Sequence, residues 1–144
     1  MSTASAVAIA AVFVWLGMVL AISFIEAPLK FRAPGITLAL GLGIGRLVFR
    51  ALNTCEVVLA AVLAVALFTD RPSTGVAIAF GCAAAALVGQ VVGVRPALTR
   101  RSDAVLAGRV DTDAPRSHAH YVYVGLELVK VVGLLVTGIL LLAA

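Results

Sequence analysis

The stretch Ile44–Phe68, IGRLVFRALNTCEVVLAAVLAVALF, is apolar without a break from Val57 onward, while its first half carries Arg46, Arg50, Asn53 and Glu56. Those four side chains are spaced by four, three and three residues. At about 100° per residue they fall on one face of a helix, within about a third of its circumference. A helix of this length is about 37 Å long and crosses a bilayer. The stretch therefore predicts a membrane-spanning helix that takes two arginines, an amide and a carboxylate into its own span. Charge in hydrocarbon costs at least about 2.5 kcal/mol per residue, so such groups face protein or water and mark a functional site.

Working outward, 62% of the 144 residues are hydrophobic and the mean hydropathy is +1.14. Soluble domains hold roughly 45–50% apolar residues, so the chain is read as a polytopic membrane protein, one all-α domain over residues 1–144. The net charge of +4 is assigned to short loops that set topology. Nucleic acid is excluded as a partner, because no basic run carries interleaved aromatics. Cys55 and Cys82 lie in apolar spans and are read as buried thiols that pack. Two cysteines alone make no metal site.

Four spans follow, at about residues 6–27, 44–68, 75–94 and 117–142, forming a left-handed four-transmembrane-helix bundle. Pro28 is expected to stop the first span, and Lys30, Arg32, Pro34 and Gly35 to form a loop. The segment LALGLGIG (Leu38–Gly45) reads as too glycine-rich for a helix and is expected at the membrane surface. The third span continues past Pro96 as a polar segment with Arg100, Arg101 and Asp103. VDTDAPRS (Val110–Ser117) reads as a loop with Ser117 as the N-cap of the fourth span. Lys30, Arg32, Arg95, Arg100, Arg101, Arg109 and Arg116 fall on one side of the bundle and only Arg71 on the other. The positive-inside rule then puts both termini outside.

The third span repeats small residues at Gly81, Ala85, Gly89 and Gly93, a ridge for close helix approach within the chain or in a homo-oligomer. Pro28 to Arg32 and Pro96 to Arg100 form a faint internal echo. In the fourth span His120, Tyr123, Glu127 and Lys130 are spaced by three, four and three residues, again one helical face. With Glu26 and Gln90 they place the polar side chains in one half of the bundle, as a pocket open to the cytoplasm. His118 and His120 diverge by about 200° on a helix and cannot chelate together. No Glu-x-x-His motif exists for a dimetal site.

Two resemblances attach to these residues. Arg46-x-x-x-Arg50-Ala-Leu-Asn53-Thr-Cys-Glu56 resembles the second helix of the MAPEG superfamily of glutathione-dependent membrane enzymes. That resemblance implies glutathione as cofactor, held by Arg50, Asn53 and Glu56, with a fourth-helix tyrosine assisting. Trp15-x-Gly17, Pro28 and the late His120-x-x-Tyr123…Glu127-x-x-Lys130 are similar to small CopD-like and HemJ-like bacterial four-helix membrane proteins. This second resemblance implies a bacterial inner membrane and ties to copper or haem. The histidine that the haem-linked group carries on its first helix has no counterpart here, since the histidines are His118 and His120.

The expected function is binding, or an association with transport, of an anionic or amphiphilic small molecule. Arg46, Arg50 and Lys130 would meet its anionic groups, while Glu56 and Glu127 orient it or exchange protons. Asn53, His120, Tyr123 and Glu26 complete the candidate site. A glutathione-dependent enzyme and a structural subunit with an ion-pair network are the alternatives. A hydrated site further predicts that neutralising Glu56 or Glu127 hardly moves stability.

Overall fold

The structure, a computed structural model, describes residues 1–108 and 118–144. Among them four helices are long and apolar enough to cross a membrane: α1 (Thr3–Arg32), α2 (Leu38–Thr69), α3 (Thr74–Leu106) and α4 (His118–Ala143). There is no strand among the described residues. Each helix buries only about a third of its most apolar window, so most of its hydrophobic surface faces outward, as a bundle surrounded by hydrocarbon requires. The expected loop over Val110–Ser117 and the Ser117 cap lie outside the described residues.

The first three helices run further than the span limits read from the sequence, while the fourth matches its span. Pro28 does not end α1. The helix widens into a π-helical stretch at Leu20–Glu26, passes Pro28, and closes in a 3₁₀ turn at Lys30–Arg32. The third helix does the same: a π-helical stretch at Gly89–Val94 precedes Pro96, and the helix continues to Leu106. A proline ring clashes with the carbonyl four residues back in a regular helix. The wider i→i+5 turn, seen in Ala27 N–H to Ile22 O and Arg95 N–H to Gln90 O, relieves that clash. The internal echo in the sequence thus corresponds to two wide turns, each followed by a proline.

The connection from α1 to α2 is a tight turn. Pro34 sits at its second position and Gly35 at its third with φ 76°, and Ile36 N–H bonds to Ala33 O at 3.2 Å. That is the turn in which the third position needs a positive φ. Thr37 then caps α2, accepting from Leu40 N–H at 3.1 Å. The glycine-rich segment is therefore the first two turns of α2, not a surface strip. Its glycines receive α1: a Cβ on Gly41 would overlap the Phe31 ring, and one on Gly45 would lie 3.0 Å from Lys30 Nζ. Helix contact pays back the low propensity of glycine.

α1 packs on both α2 and α4, and α3 packs chiefly on α4. The half of the bundle that holds the termini is filled by apolar side chains, including Val12, Leu16, Leu63, Leu87 and Leu134. A close approach joins α3 to α4, where Gly133 faces Ala79 and Ala83. The ridge expected from the sequence lies elsewhere: Gly81 and Ala85 are exposed, and a Cβ on Gly81 or Gly93 would meet nothing within 4 Å. Cys55 and Cys82 are exposed on the outer surface, not buried.

At the tip of this apolar half the start of α1 is tied to the end of α2. Asp70 Oδ2 accepts from Ser5 Oγ at 2.8 Å and from Ser2 Oγ. The Ser2 and Ser5 hydrogen bonds hold the Asp70 carboxyl below the usual aspartate value. Because the folded-state value is the lower one, this contribution is complete above the unfolded value of about 4 and fades as pH falls through the folded value. Asp70→Asn should therefore melt below the native chain at pH 7, with the two melting curves converging in acid. Thermal unfolding at pH 7 and about pH 3 checks this; a gap unchanged in acid would mean the Asp70 charge plays no part.

Candidate functional site

The polar side chains gather in the other half, where α1 and α3 end and α2 and α4 begin. Lys130 is wholly enclosed, and its three ammonium donors all have acceptors. Nζ lies 2.6 Å from Glu56 Oε1, 2.6 Å from Glu127 Oε1 and 2.7 Å from Gln90 Oε1. Glu56 also accepts from Trp15 Nε1 at 2.9 Å. Glu127 Oε2 accepts from Ser23 Oγ at 2.7 Å. Gln90 donates to the Tyr123 carbonyl at 3.2 Å. With the Asn53 amide turned to suit both neighbours, its nitrogen donates to Glu56 Oε2 at 3.0 Å and its oxygen accepts from Arg95 Nη1. One continuous network thus draws a residue from every helix.

The wide turns make this possible. In a regular helix Gln90 and Arg95 would stand about 140° apart, but an i→i+5 ladder brings residues five apart nearly into line. Gln90 and Arg95 then both reach the interior. On α1 Ser23 itself lies within the wide stretch Leu20–Glu26, and it and Trp15 both reach the network. Such turns recur at functional sites.

Next to the network opens a cavity of about 570 Å³ between all four helices. Its walls are mixed. Phe24, Phe31, Phe49 and Leu98 provide apolar surface, while Lys30, Arg46, Arg95 and His120 provide basic groups. Ser23, Tyr123 and Glu127 line it where it meets the network. Lys30 Nζ lies over the Phe31 and Phe49 rings, 5.4 and 5.7 Å from their centroids, and 3.8 Å from Glu26. Arg46 bonds Asp103 at 2.7 Å in an exposed ion pair. Tyr123 packs edge-on against Phe49 at 5.9 Å. Its hydroxyl is buried near Glu127 and meets no well-aligned hydrogen-bond acceptor among the described residues.

The residues singled out in the sequence divide between these two settings. Asn53, Glu56 and Lys130 belong to the closed network. Arg46, His120, Tyr123 and Glu127 line the cavity, with Glu127 shared by both. Glu26 sits beside it through Lys30. Arg50 is exposed and joins neither. Lys130 spends all its donors inside the network, so the cations that face the cavity are Lys30, Arg46 and Arg95 instead. Trp15, Ser23, Lys30 and Arg95 were not in the expected site. Trp15 and Gln90 carried a signal, as polar groups inside apolar spans; Lys30 was hidden by the expectation that Pro28 ends the first span, and Arg95 by its assignment to the basic residues that set topology. No group of three His, Cys, Asp or Glu able to hold a metal occurs among the described residues.

Comparisons with protein-family models, with curated proteins and with solved structures yield no match to this chain. Its class rests on the fold: an all-helical chain with four candidate membrane spans and a charged, hydrogen-bonded interior.

Proposed function

We propose that the chain is a multi-pass membrane protein that binds an amphiphilic anion in the cavity at the basic end of its bundle. The observation that carries this reading is the Tyr123 hydroxyl, a buried donor that meets no well-aligned acceptor among the described residues, in the same cavity as Lys30, Arg46 and Arg95. Buried polar groups are nearly always hydrogen-bonded. A sulfonate, phosphate or carboxylate oxygen would accept from Tyr123 while meeting the three cations. The phenylalanine and leucine walls would hold the apolar tail, and the cavity's size suits a small molecule. Charge distribution supports a cytoplasmic basic end and outside termini. The resemblance of Trp15-x-Gly17 and the fourth helix to bacterial four-helix proteins supports a bacterial cytoplasmic membrane.

The test uses 1-decanesulfonate and calorimetry on the chain in neutral-lipid nanodiscs. Binding is expected, with each of Lys30→Gln and Arg46→Gln weakening it by about five- to tenfold, as loss of one charge-assisted contact of about 1–1.5 kcal/mol would. Equal affinity for 1-decanol would overturn the reading, because an apolar cavity without anion recognition would treat the two alike.

A further inference from the structure

The buried network has an uneven charge count. Glu56 and Glu127 both contact the Lys130 ammonium, so two carboxylates share one cation at that point. The balancing cation is Arg95, joined to Glu56 through the Asn53 amide. Arg95 is also part of the cavity wall. We propose that binding of an anion in this cavity is coupled to uptake of one proton by the Glu56–Glu127 pair. The inference rests on the anion-binding reading above and extends it to a proton-coupled site.

The coupling follows from electrostatics. An anion seated against Arg95 takes up the charge that otherwise offsets the second carboxylate. The triad would then hold one uncompensated negative charge in a buried setting, which is strongly unfavourable. A proton from bulk water, added to one carboxylate oxygen, removes it. No other bond forms or breaks, and the anion and proton together leave the site neutral.

Glu127 is the carboxylate that takes the proton. Around Glu56 stand the Trp15 indole and the Lys130 ammonium, which can only donate, and the Asn53 amide nitrogen. A protonated Glu56 would face donors on every side. Glu127 Oε2 instead meets the Ser23 hydroxyl, which donates or accepts equally well. On protonation this hydrogen bond reverses direction and is kept. Glu127 and Ser23 also line the cavity, which gives the proton its path. The other groups near the pair are Gln90 from α3, Tyr123 from α4 and, at the cavity wall, His120, Lys30 and Arg46. Among these, His120 is the imidazole, and any proton it takes must be told apart from one on Glu127.

The experiment is calorimetry of 1-decanesulfonate binding at pH 7 in two buffers of different ionisation enthalpy. The sulfonate carries no titrating proton in this range. The difference between buffers counts protons taken up per ligand bound, whatever the affinity. The expected count is between one half and one for the native chain and for His120→Gln, and near zero for Glu127→Gln. Ser23→Ala, which leaves every charge in place, should lower the count. The native chain should also bind more weakly as pH rises from 6 to 8, by up to tenfold per unit. Binding with no proton uptake and no pH dependence overturns the coupling and leaves the anion-binding reading standing. A count lost in His120→Gln and kept in Glu127→Gln overturns it too. Absence of binding overturns both.

Discussion

Glu56→Gln lowers the stability of the bundle by about 3–5 kcal/mol, the range for removing one partner of a buried ion pair. Glu56 has no exposed surface, and neither does Lys130. The substitution leaves the network one positive charge in excess. It also creates a conflict that a flip cannot mend. The new amide nitrogen would oppose the Asn53 nitrogen that donates to Glu56, and turning Asn53 would aim its nitrogen at Arg95. A hydrated site predicts almost no change on this substitution. Full enclosure reverses that expectation, because charges surrounded by protein on every side are little screened by solvent. The companion variant is Glu127→Gln with Lys130→Met, which removes one charge of each sign and should recover much of the loss caused by Glu127→Gln alone. Unfolding of these variants in one detergent at one pH decides the matter. An unchanged melting temperature for Glu56→Gln would show that solvent reaches the network after all.

Gly133→Leu should be comparably damaging, at about 3 kcal/mol or more, the upper end for overpacking a close contact. A Cβ at Gly133 would lie 3.0 Å from the Ala79 carbonyl oxygen, 3.2 Å from Ala83 Cβ and 3.3 Å from Ala83 N. Two of those neighbours are backbone and cannot rotate away, so α3 and α4 must part. Gly133→Ala asks the neighbours to yield by only a few tenths of an ångström and should cost less. Gly81→Leu is the control, since a Cβ there meets nothing within 4 Å. Stability in detergent measures all three. Equal stability of Gly133→Leu and Gly81→Leu would mean that α3 and α4 do not meet at Ala79 and Ala83.

The helices and most of the network were legible in the sequence, because spacings of three and four residues survive wherever a helix is regular. Asn53 with Glu56, and Tyr123 with Glu127 and Lys130, come together for that reason. Arg50 shares their spacing and still falls outside. The buried arc of α2 is set by Leu52, Glu56 and Leu63, and Arg50 stands about 120° around the helix from Glu56. A polar stripe spanning a third of the circumference does not say where the buried third is centred; the apolar neighbours do. Within the chain the small-residue ridge goes unused at Gly81, Ala85 and Gly93 for a similar reason. Alternative faces of α3 offer small residues, and contact with Gly133 selects the one bearing Ala79 and Ala83. Lys30 and Arg95 were illegible for another reason. Reading at a constant 100° per residue cannot register a wide turn, and Pro28 looked like an end.

Each wide turn holds one residue more per hydrogen-bonded loop than the turns around it. Deleting a single residue at Gly89–Val94 would restore the regular ladder and leave what lies beyond it in phase, because Gln90 and Arg95, then four residues apart, would still stand about 40° from each other. The helix before it would keep its phase, and so would its apolar contacts with Val76, Ala83 and Leu87 at their core. The same holds for Leu20–Glu26 and the residues beyond it on α1. Insertions and deletions are thus unequal along this chain. In the half that holds the termini they would scramble the packing, whereas at either bulge the loss of one residue is absorbed locally. The two bulges are thus the places where this chain could shorten by one residue and keep both its core and the aim of its cavity wall.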